Sequence, residues 1–181
     1  MAGLRLETSR LIIRDWAPDT DAEQGYRIYA DPAVTQWIGD RRTVQTLAAA
    51  RDRLQQYRDR FYTHQDGTGA WAVVEKASAR AIGTILLKEL PDAQGEPTQD
   101  FEIGWHFGQA SWGKGFATEA AEAIINYGFQ QLGLDALYAV TLPHNHRSIR
   151  VTQRLGMTPL GLTHRYYEGA ELSLFELKRP S

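Results

Sequence analysis

Short stretches of alternating apolar and polar residues predict several strands in this chain. Between residues 4 and 15, polar residues interrupt the apolar positions in a way that predicts a strand, a kink and a second strand. Residues 71–75 and 81–87 repeat the pattern on either side of a polar turn, which predicts a hairpin or meander. After a polar loop at residues 91–99, residues 101–107 predict another strand, which we expect beside the hairpin.

Three longer segments have the spacing of helices. Apolar residues recur at helical intervals over residues 43–63, and helices are also predicted for residues 118–132 and 145–155. A strand at residues 136–142 separates the last two helices, and one or two closing strands follow within residues 160–177. We expect the first helix to bury the face formed by Val44, Leu47, Leu54, Tyr57 and Phe61.

The order of these elements predicts the fold class. Antiparallel strands come first and a strand-helix-strand-helix unit follows, which is typical of a mixed α/β fold on a mainly antiparallel sheet. The chain has 181 residues without an internal repeat or a linker. Because a domain contains about 150 residues, we expect a single domain over residues 1–181.

The composition limits the functions that the chain can have. Hydrophobic residues make up 43% and charged residues 23% of the sequence, as in an ordinary globular protein. The 20 Lys and Arg residues are balanced by 22 Asp and Glu residues, so we expect no nucleic acid and no membrane as partner. No apolar run reaches the roughly 18 residues of a membrane span. Charges near the amino end replace the apolar stretch of a signal peptide, and we expect a cytoplasmic protein.

Cysteine is absent from the sequence. The chain therefore has no disulfide framework, no thiolate metal site and no thiol nucleophile. His144 and His146 have a spacing that could suit a metal, but no carboxylate or further histidine lies close in sequence. We assign no metal site.

The most informative segment is residues 101–128, where an apolar strand leads through a glycine-rich loop directly into a helix. Gly113 and Gly115 allow a tight turn and a close approach of a ligand to the backbone. The unpaired amides and positive dipole end of the helix favour phosphate oxygens, and Lys114 and Thr118 add a charge and a hydroxyl. The junction predicts an anion site, although a tight turn without a ligand explains the two glycines equally well.

A nucleotide-hydrolysing loop is the first of two phosphate-binding interpretations. Residues 108–115 read GQASWGKG and nearly match the G-x-x-x-x-G-K-[ST] pattern. Gly115 stands where that pattern needs the magnesium-binding Ser or Thr, and no later apolar strand ends in an aspartate. Nucleotide hydrolysis is therefore disfavoured.

Four blocks of sequence, which together span nearly the whole chain, provide the second interpretation. They are LETSRLIIRDW at residues 6–16, EIGWHF at 102–107, WGKGFATEA at 112–120 and NHRSIRVTQRLGM at 145–157. In this order they resemble the GNAT superfamily of acetyltransferases, and specifically its RimJ/RimL-like branch. Trp112, Gly115 and Ala117 occupy the three specified positions of the superfamily loop pattern Q/R-x-x-G-x-G/A. Trp112 departs from Gln or Arg, but such a loop is familiar in the RimJ/RimL-like branch.

The resemblance implies a GNAT-like sheet with helices on both faces and a splayed central strand pair, and acetyl-CoA as the acetyl donor. The pantetheine arm would pair with exposed backbone near His106 and Phe107, like an added strand. Asn145 and Ser148 match the family's Asn-x-x-Ser at the helix across the groove, although Asn145 also suits an ordinary helix cap. The pyrophosphate would lie on the segment formed by Trp112, Gly113, Lys114, Gly115, Phe116, Ala117 and Thr118.

Acetyl transfer to an amine needs a base for the attacking nitrogen and an acid for the departing thiolate. Glu102 and His106 lie on the same face of the strand at residues 101–107. Because desolvation makes a carboxylate a better base, Glu102 is our first candidate for the general base, directly or through a water. His106 is the alternative base. A salt bridge from Glu102 to an arginine, and a packed, hydrogen-bonded His106, are the structural alternatives.

Ser148 is the candidate acid, because by resemblance its hydroxyl lies beside the sulfur of the cofactor. Tyr166 and Tyr167 remain open for the same role. A CoA thiol resembles a free cysteine with a pKa of about 8.5, so the acid need contribute little and solvent is an alternative. We expect direct transfer, because no cysteine exists to carry an acetyl group.

The resemblance does not identify the acceptor. Related sequences act on ribosomal proteins, other protein amino termini and small amines such as polyamines or aminoglycosides. We expect an N-acetyltransferase that moves acetyl from acetyl-CoA to a primary amine of one of these kinds. The alternative is a non-catalytic acyl-CoA-binding or sensing domain that has lost turnover. The oligomeric state stays open, although the closing strands of such folds often meet in homodimers.

Overall fold

The computed structural model describes residues 3–39, 41–64 and 66–180 of the chain. The strands of this part are β1 (Arg5–Glu7), β2 (Leu11–Arg14), β3 (Gly69–Glu75), β4 (Arg80–Pro91), β5 (Pro97–Phe107), β6 (Ala136–Thr141), β7 (Thr158–Thr163) and β8 (Leu172–Lys178). The helices are α1 (Pro18–Tyr29), α2 (Pro32–Thr35), α3 (Leu47–His64), α4 (Phe116–Gln130) and α5 (His146–Arg154). The strands form one sheet in the order β1-β2-β3-β4-β5-β6-β8-β7.

Neighbouring strands of the sheet are antiparallel except β5 and β6, which are parallel. The sheet separates two apolar layers. Along β3, Trp71 and Val73 pack with α4, whereas Ala72 and Val74 pack with α1 and α3. The mainly antiparallel sheet with helices on both faces is therefore confirmed. Within the described ranges, no helix is both long and apolar enough to cross a membrane.

The structure corrects the loop predicted for residues 91–99. Both flanking strands extend into this segment and leave only a turn at residues 92–96. The Oδ1 atom of Asp92 accepts hydrogen bonds from the backbone amides of Gln94 at 2.7 Å and Glu96 at 3.0 Å. The segment is polar because this hairpin end is largely exposed to solvent, and a polar, exposed strand has the composition of a loop.

The helix predicted over residues 43–63 begins later in the structure. The hydroxyl of Thr46 accepts a hydrogen bond at 3.1 Å from a backbone amide in the first turn and caps α3. Val44 is buried but precedes the helix, and Leu47 is 48% exposed, so the predicted buried face is wrong for these two residues. The side chain of Phe61 lies outside the described part of the chain. Among the side chains that the structure describes, the face that packs on the sheet includes Ala50, Leu54 and the half-buried Tyr57.

The parallel strands β5 and β6 diverge after a short contact. Their register pairs Glu102 with Tyr138 and, within the described chain, no later residues. β5 nevertheless continues to Phe107 and β6 to Thr141. The predicted splayed central pair is therefore confirmed, and the two strands enclose a wedge-shaped opening in the middle of the sheet.

Candidate functional site

A groove of about 1200 Å³ passes through the opening between β5 and β6. On one face of the sheet its walls are the loop before α4 and the first turns of α5, and on the other they include α3 and the turn at Tyr167–Gly169. Lys114 lies outside this groove and lines an adjoining depression. The remaining predicted site residues all line the groove: Glu102, His106, Phe107, Trp112, Gly113, Gly115, Phe116, Ala117, Thr118, Asn145 and Ser148.

The loop before α4 has a backbone that only glycine adopts easily. Gly113 has φ 75° and Gly115 has φ 81°, in the left-handed region where other residues are strained. A Cβ atom on Gly113 would find no heavy atom within 4 Å, so the backbone there faces open space. The Oγ1 atom of Thr118 is buried and has no hydrogen-bond partner among the residues that the structure describes. This arrangement at the amino end of α4 fits an anionic ligand.

Trp112 connects this loop to both sides of the groove. Its indole Nε1 donates a hydrogen bond to the backbone carbonyl oxygen of Phe107 at 2.7 Å. The guanidinium carbon of Arg147 lies 4.2 Å from the centroid of the Trp112 ring, a favourable cation–π contact. These contacts hold β5, the loop and α5 together, and they give a structural reason for a tryptophan where the superfamily pattern has Gln or Arg.

A polar cluster that the sequence did not predict fixes the start of α4. Glu119 accepts hydrogen bonds from the hydroxyls of Thr8 and Ser9 and from the backbone and side chain of Arg10. The Arg10 side chain also donates to the carbonyl oxygen of Lys114 at 3.0 Å. Burial acts to raise the pKa of Glu119, but these hydrogen bonds outweigh it and lower the pKa to about 2. The amino-terminal strands are thereby joined to the glycine loop.

Glu102 is buried at the point where β5 and β6 diverge. The hydroxyl of Tyr167 donates a hydrogen bond to its Oε2 atom, and the Nζ atom of Lys88 lies 3.6 Å from the same oxygen. The Nζ atom of Lys88 also lies 4.9 Å from the centroid of the Tyr167 ring. The structural alternative of a salt bridge is therefore present, with a lysine and not an arginine. A cation and a hydroxyl donor together offset the cost of burying the carboxylate.

The two tyrosines considered as acids are poorly suited to that role. Burial raises the pKa of Tyr167 far above its usual range, and the charge and hydrogen bond of Glu102 raise it further. The hydroxyl of Tyr166 donates to Asp100 at 2.6 Å, and Tyr166 is not among the residues that line the groove. Burial raises the pKa of Tyr166 as well. Both phenols therefore hold their protons strongly.

His106 lies beside Tyr29 on the wall of the groove. The hydroxyl oxygen of Tyr29 is 3.5 Å from Nδ1 of His106, and the ring centroids are 6.2 Å apart with an edge-to-face orientation. The same hydroxyl is 2.5 Å from the Oγ1 atom of Thr84. This is the packed, hydrogen-bonded arrangement that the sequence allows as the alternative to a catalytic His106.

The register of β4 and β5 shows which backbone groups face the opening. The backbone amide of Gly108 donates to the carbonyl oxygen of Ile82 at 3.1 Å, in line with the register of the two strands. Because hydrogen-bonded pairs alternate in an antiparallel ladder, the backbone groups of His106 point toward β4. The backbone groups of Trp105 and Phe107 point away from β4 and into the opening.

Asn145 caps α5 and positions Ser148. The Oδ1 atom of Asn145 accepts a hydrogen bond from the backbone amide of Ser148 at 3.2 Å, which is the usual contact of a capping residue. Asn145 therefore has the helix-capping role that the sequence suggests as its structural alternative. Ser148 lies in the first turn of α5 and lines the groove across from the glycine loop.

Comparison with known proteins establishes the family. A family model described as an acetyltransferase (GNAT) domain matches residues 10–158. The chain belongs to the GNAT acetyltransferase family. The resemblance to its RimJ/RimL-like branch is confirmed, and the protein is an acetyl-CoA-dependent N-acetyltransferase. This result disfavours the nucleotide hydrolase considered as an alternative.

Two curated relatives extend along most of this GNAT chain. The uncharacterised N-acetyltransferase YnaD of Bacillus subtilis (strain 168) is 44% identical over 156 residues, which cover 85% of this chain and 82% of that protein. The uncharacterised N-acetyltransferase p20 of Bacillus licheniformis is 31% identical over 172 residues, which cover 95% of this chain and 92% of that protein.

Solved structures share the fold of this GNAT acetyltransferase. A GNAT-family acetyltransferase from Bacillus anthracis has a TM-score of 0.78 at 23% identity and covers 97% of this chain and 98% of its own. The ribosomal-protein-S5-alanine acetyltransferase from Vibrio fischeri has a TM-score of 0.73 at 20% identity, with coverages of 98% and 100%. These similarities confirm the GNAT fold.

Proposed function

We propose that this GNAT enzyme transfers acetyl directly from acetyl-CoA to a primary amine, with donor and acceptor entering the groove from opposite faces of the sheet. The acceptor is a protein amino terminus or a small amine. One observation carries the proposal: a single groove joins Thr118 and Ser148 on one face to Glu102 on the other. A groove of this form brings two substrates together at the splayed strands, and such positioning supplies much of a transfer rate.

The donor half of the groove has groups for each part of acetyl-CoA, which supplies an acetyl group on a thioester when bound. The backbone amides of residues 113–117 and the hydroxyl of Thr118 would bind the pyrophosphate, since the amide of Trp112 already donates to the carbonyl oxygen of Gln109. The backbone groups of Trp105 and Phe107 would pair with the pantetheine arm. The family resemblance implies this pairing at His106 and Phe107. We propose Trp105 in place of His106, because the backbone groups of His106 point toward β4. The carbonyl oxygen of Phe107 already accepts a bond from Trp112, so Phe107 contributes its amide.

Glu102 acts as the general base in this proposal. Lys88 and Tyr167 both contact its Oε2 atom, and we assign Oε1 to the attacking amine, directly or through a water. His106 is the alternative base, since it lines the same groove four residues along β5.

Ser148 donates a hydrogen bond to the departing thiolate. Its position on the wall formed by α5 supports this role, and the raised pKa values of Tyr166 and Tyr167 disfavour those side chains as acids. Because a thiolate with a pKa of about 8.5 leaves readily, the hydroxyl contributes modestly.

The experiment that tests the proposal measures release of the CoA thiol with a panel of amines and peptide amino termini. We expect the wild type to release thiol only with an acceptor. Glu102→Gln should lower kcat/KM by roughly 100-fold or more at neutral pH, should change the pH profile of kcat/KM, and should still bind CoA in calorimetry. Glu89→Gln is the matched control. Glu89 lies near the end of β4, before the hairpin turn that leads into β5 and Glu102, and it does not line the groove. A wild-type pH profile for Glu102→Gln would remove Glu102 as the base.

A further inference from the structure

The part of the groove that faces α3 carries an excess of positive charge. Among the groove residues that the structure describes, four cationic side chains lie on this side, against the carboxylates of Glu102 and Glu168. Glu102 already contacts a lysine and a tyrosine hydroxyl, so its charge is partly offset. The four cations are Arg41, Arg42, Arg60 and Lys88.

Among these four cations, Arg60 is the one whose surroundings indicate a bound ligand. It extends from α3 to the wall of the groove, and its Nε atom is buried without a hydrogen-bond partner in the described part of the chain. Arg60 lines the same groove as Tyr167 and Glu102. Burial raises the pKa of Tyr167, and the positive charge of Arg60 acts in the opposite direction. A buried donor without an acceptor is costly, and an oxygen of a bound molecule would remove that cost.

The chemistry of the guanidinium group indicates which functional group of a ligand would supply the oxygen that Arg60 binds. Its planar array of N–H donors matches a carboxylate, with two parallel hydrogen bonds. Because Arg60 and Glu102 line the same groove, one acceptor molecule can present a carboxylate to the arginine and its amine to the base. An acceptor with several positive charges would instead meet four cations on the same wall, and like charges disfavour binding.

We propose that the acceptor carries a carboxylate in addition to its amine, and that Arg60 binds this carboxylate while the amine lies at Glu102. The inference rests on the acetyl transfer proposed above and narrows its acceptor to anionic amines. Two sources share this chemistry: a free amino acid, and a peptide amino terminus with an acidic side chain beside it. Polyamines and aminoglycosides are then poor acceptors.

The test compares acceptors of similar size that differ in charge, with CoA thiol release as the measurement. The comparison of L-alanine with L-alaninamide tests the effect of a free α-carboxylate. The comparison of amide-capped Ala-Glu with amide-capped Ala-Gln and Ala-Lys tests the effect of an acidic side chain beside an amino terminus. Spermidine represents the polycations. We expect kcat/KM to be about tenfold higher for the anionic member of at least one pair, as for a charged hydrogen bond, and to be lowest for Ala-Lys and spermidine.

Variants of α3 show whether Arg60 is the cause of the preference. Arg60→Gln should reduce the anionic-to-neutral ratio of kcat/KM about tenfold, mainly through KM for the acceptor. Because each ratio uses the same two acceptors, differences in amine basicity cancel. Arg60→Lys keeps the charge without the planar fork and should retain part of the preference, which provides a second readout if the glutamine variant folds poorly. Arg58→Gln is the matched control, since Arg58 is exposed on the same helix and does not line the groove.

The outcomes separate this inference from the proposed function. Equal kcat/KM across the panel, a preference for spermidine, or a ratio that Arg60→Gln leaves unchanged overturns the carboxylate inference and leaves acetyl transfer intact. No thiol release with any of these amines, in a protein that binds CoA, contradicts both. A preference for L-alanine identifies the free amino acid as the source, and a preference for amide-capped Ala-Glu identifies the peptide terminus.

Discussion

The hydroxyl of Tyr167 donates a hydrogen bond to the carboxylate of Glu102, although the two residues are 65 positions apart in sequence. Tyr167 has φ 50° and the following Glu168 has φ 58°, so both lie in a region that is unfavourable for residues with side chains. Strain of this kind persists where surrounding contacts require it, and it is common at functional sites. The turn after β7 therefore serves to position a donor against the proposed base.

Tyr167→Phe should lower kcat/KM about tenfold with little change in the affinity for CoA. The phenol donates a hydrogen bond to the buried carboxylate of Glu102, and without this donor the proposed base is less well positioned. A bond to a charged group contributes about 1.5–3 kcal/mol, and a factor of ten in rate corresponds to about 1.4 kcal/mol. Acceptor-dependent thiol release, with calorimetry for CoA binding, provides the measurement.

Tyr166→Phe is the control for this change. It also removes a bond from a phenol to a carboxylate, that of Asp100 at 2.6 Å, but Tyr166 does not line the groove. We expect its kcat/KM to match the wild type. A loss of equal size in both variants, or no loss in Tyr167→Phe, would show that Tyr167 does not act on the base.

Gly115→Val should weaken CoA binding by more than tenfold. Gly115 has φ 81° at the residue before α4, and a β-branched side chain there blocks the approach of phosphate oxygens to the helix amides. Gly133→Val imposes a similar strain at φ 70°, in a loop outside the groove. Both variants should lose about 1–3 kcal/mol of stability, but only Gly115→Val should lose affinity in calorimetry. Equal affinities would contradict the pyrophosphate site.

Ser148→Ala should lower kcat about tenfold with little change in the affinity for CoA. General acids contribute roughly 100-fold or more when the leaving group is poor, and a thiolate with a pKa near 8.5 needs less help. Ser78→Ala removes another hydroxyl, which donates to Glu75 in a turn at the end of β3, and should leave kcat at the wild-type value. Steady-state rates and calorimetry together test this role. A wild-type kcat for Ser148→Ala would indicate that solvent protonates the sulfur.

The parts of the site that the sequence predicted are those with local signals. The glycines at 113 and 115 and the helix that follows define a strand-to-helix turn within a few residues. The alternation of side chains along β5 is equally local, and it separated Glu102 and His106 from the buried Ile103 and Phe107. Local periodicity also predicted most of the strands and helices.

The contacts that the sequence did not predict join distant segments. Arg10 and Glu119 are 109 positions apart, and Tyr167 approaches Glu102 only because β8 returns beside β6. Lys88 meets Glu102 because the register of two antiparallel strands places them opposite each other. Register and strand order depend on the packing of the whole sheet, so no periodicity within one segment could identify these partners.

The last prediction concerns the pair formed by Arg10 and Glu119, which joins the amino-terminal strands to the start of α4. The side chain of Glu119 is 16% exposed and that of Arg10 is 48% exposed. Glu119→Gln removes the charge but keeps a side chain of similar size, so several donors lose a charged acceptor. We expect a loss of about 2 kcal/mol in the free energy of unfolding at pH 7, after allowing for solvent screening at Arg10.

The pH dependence gives the sign of this effect. The pKa of Glu119 falls from 4.5 to about 2 in the folded protein, so its stabilisation is complete above pH 4.5 and is lost as the pH falls toward 2. Urea unfolding from pH 7 to pH 2 should therefore show a stability difference between wild type and Glu119→Gln that is constant at neutral pH and shrinks below pH 4.5. Glu7→Gln, which alters exposed ion pairs with Arg5 and Lys76, should stay close to the wild type. A difference that persists undiminished at pH 2 would mean that Glu119 stabilises the fold by packing, because a carboxyl group with a pKa of about 2 has lost about half of its charge there.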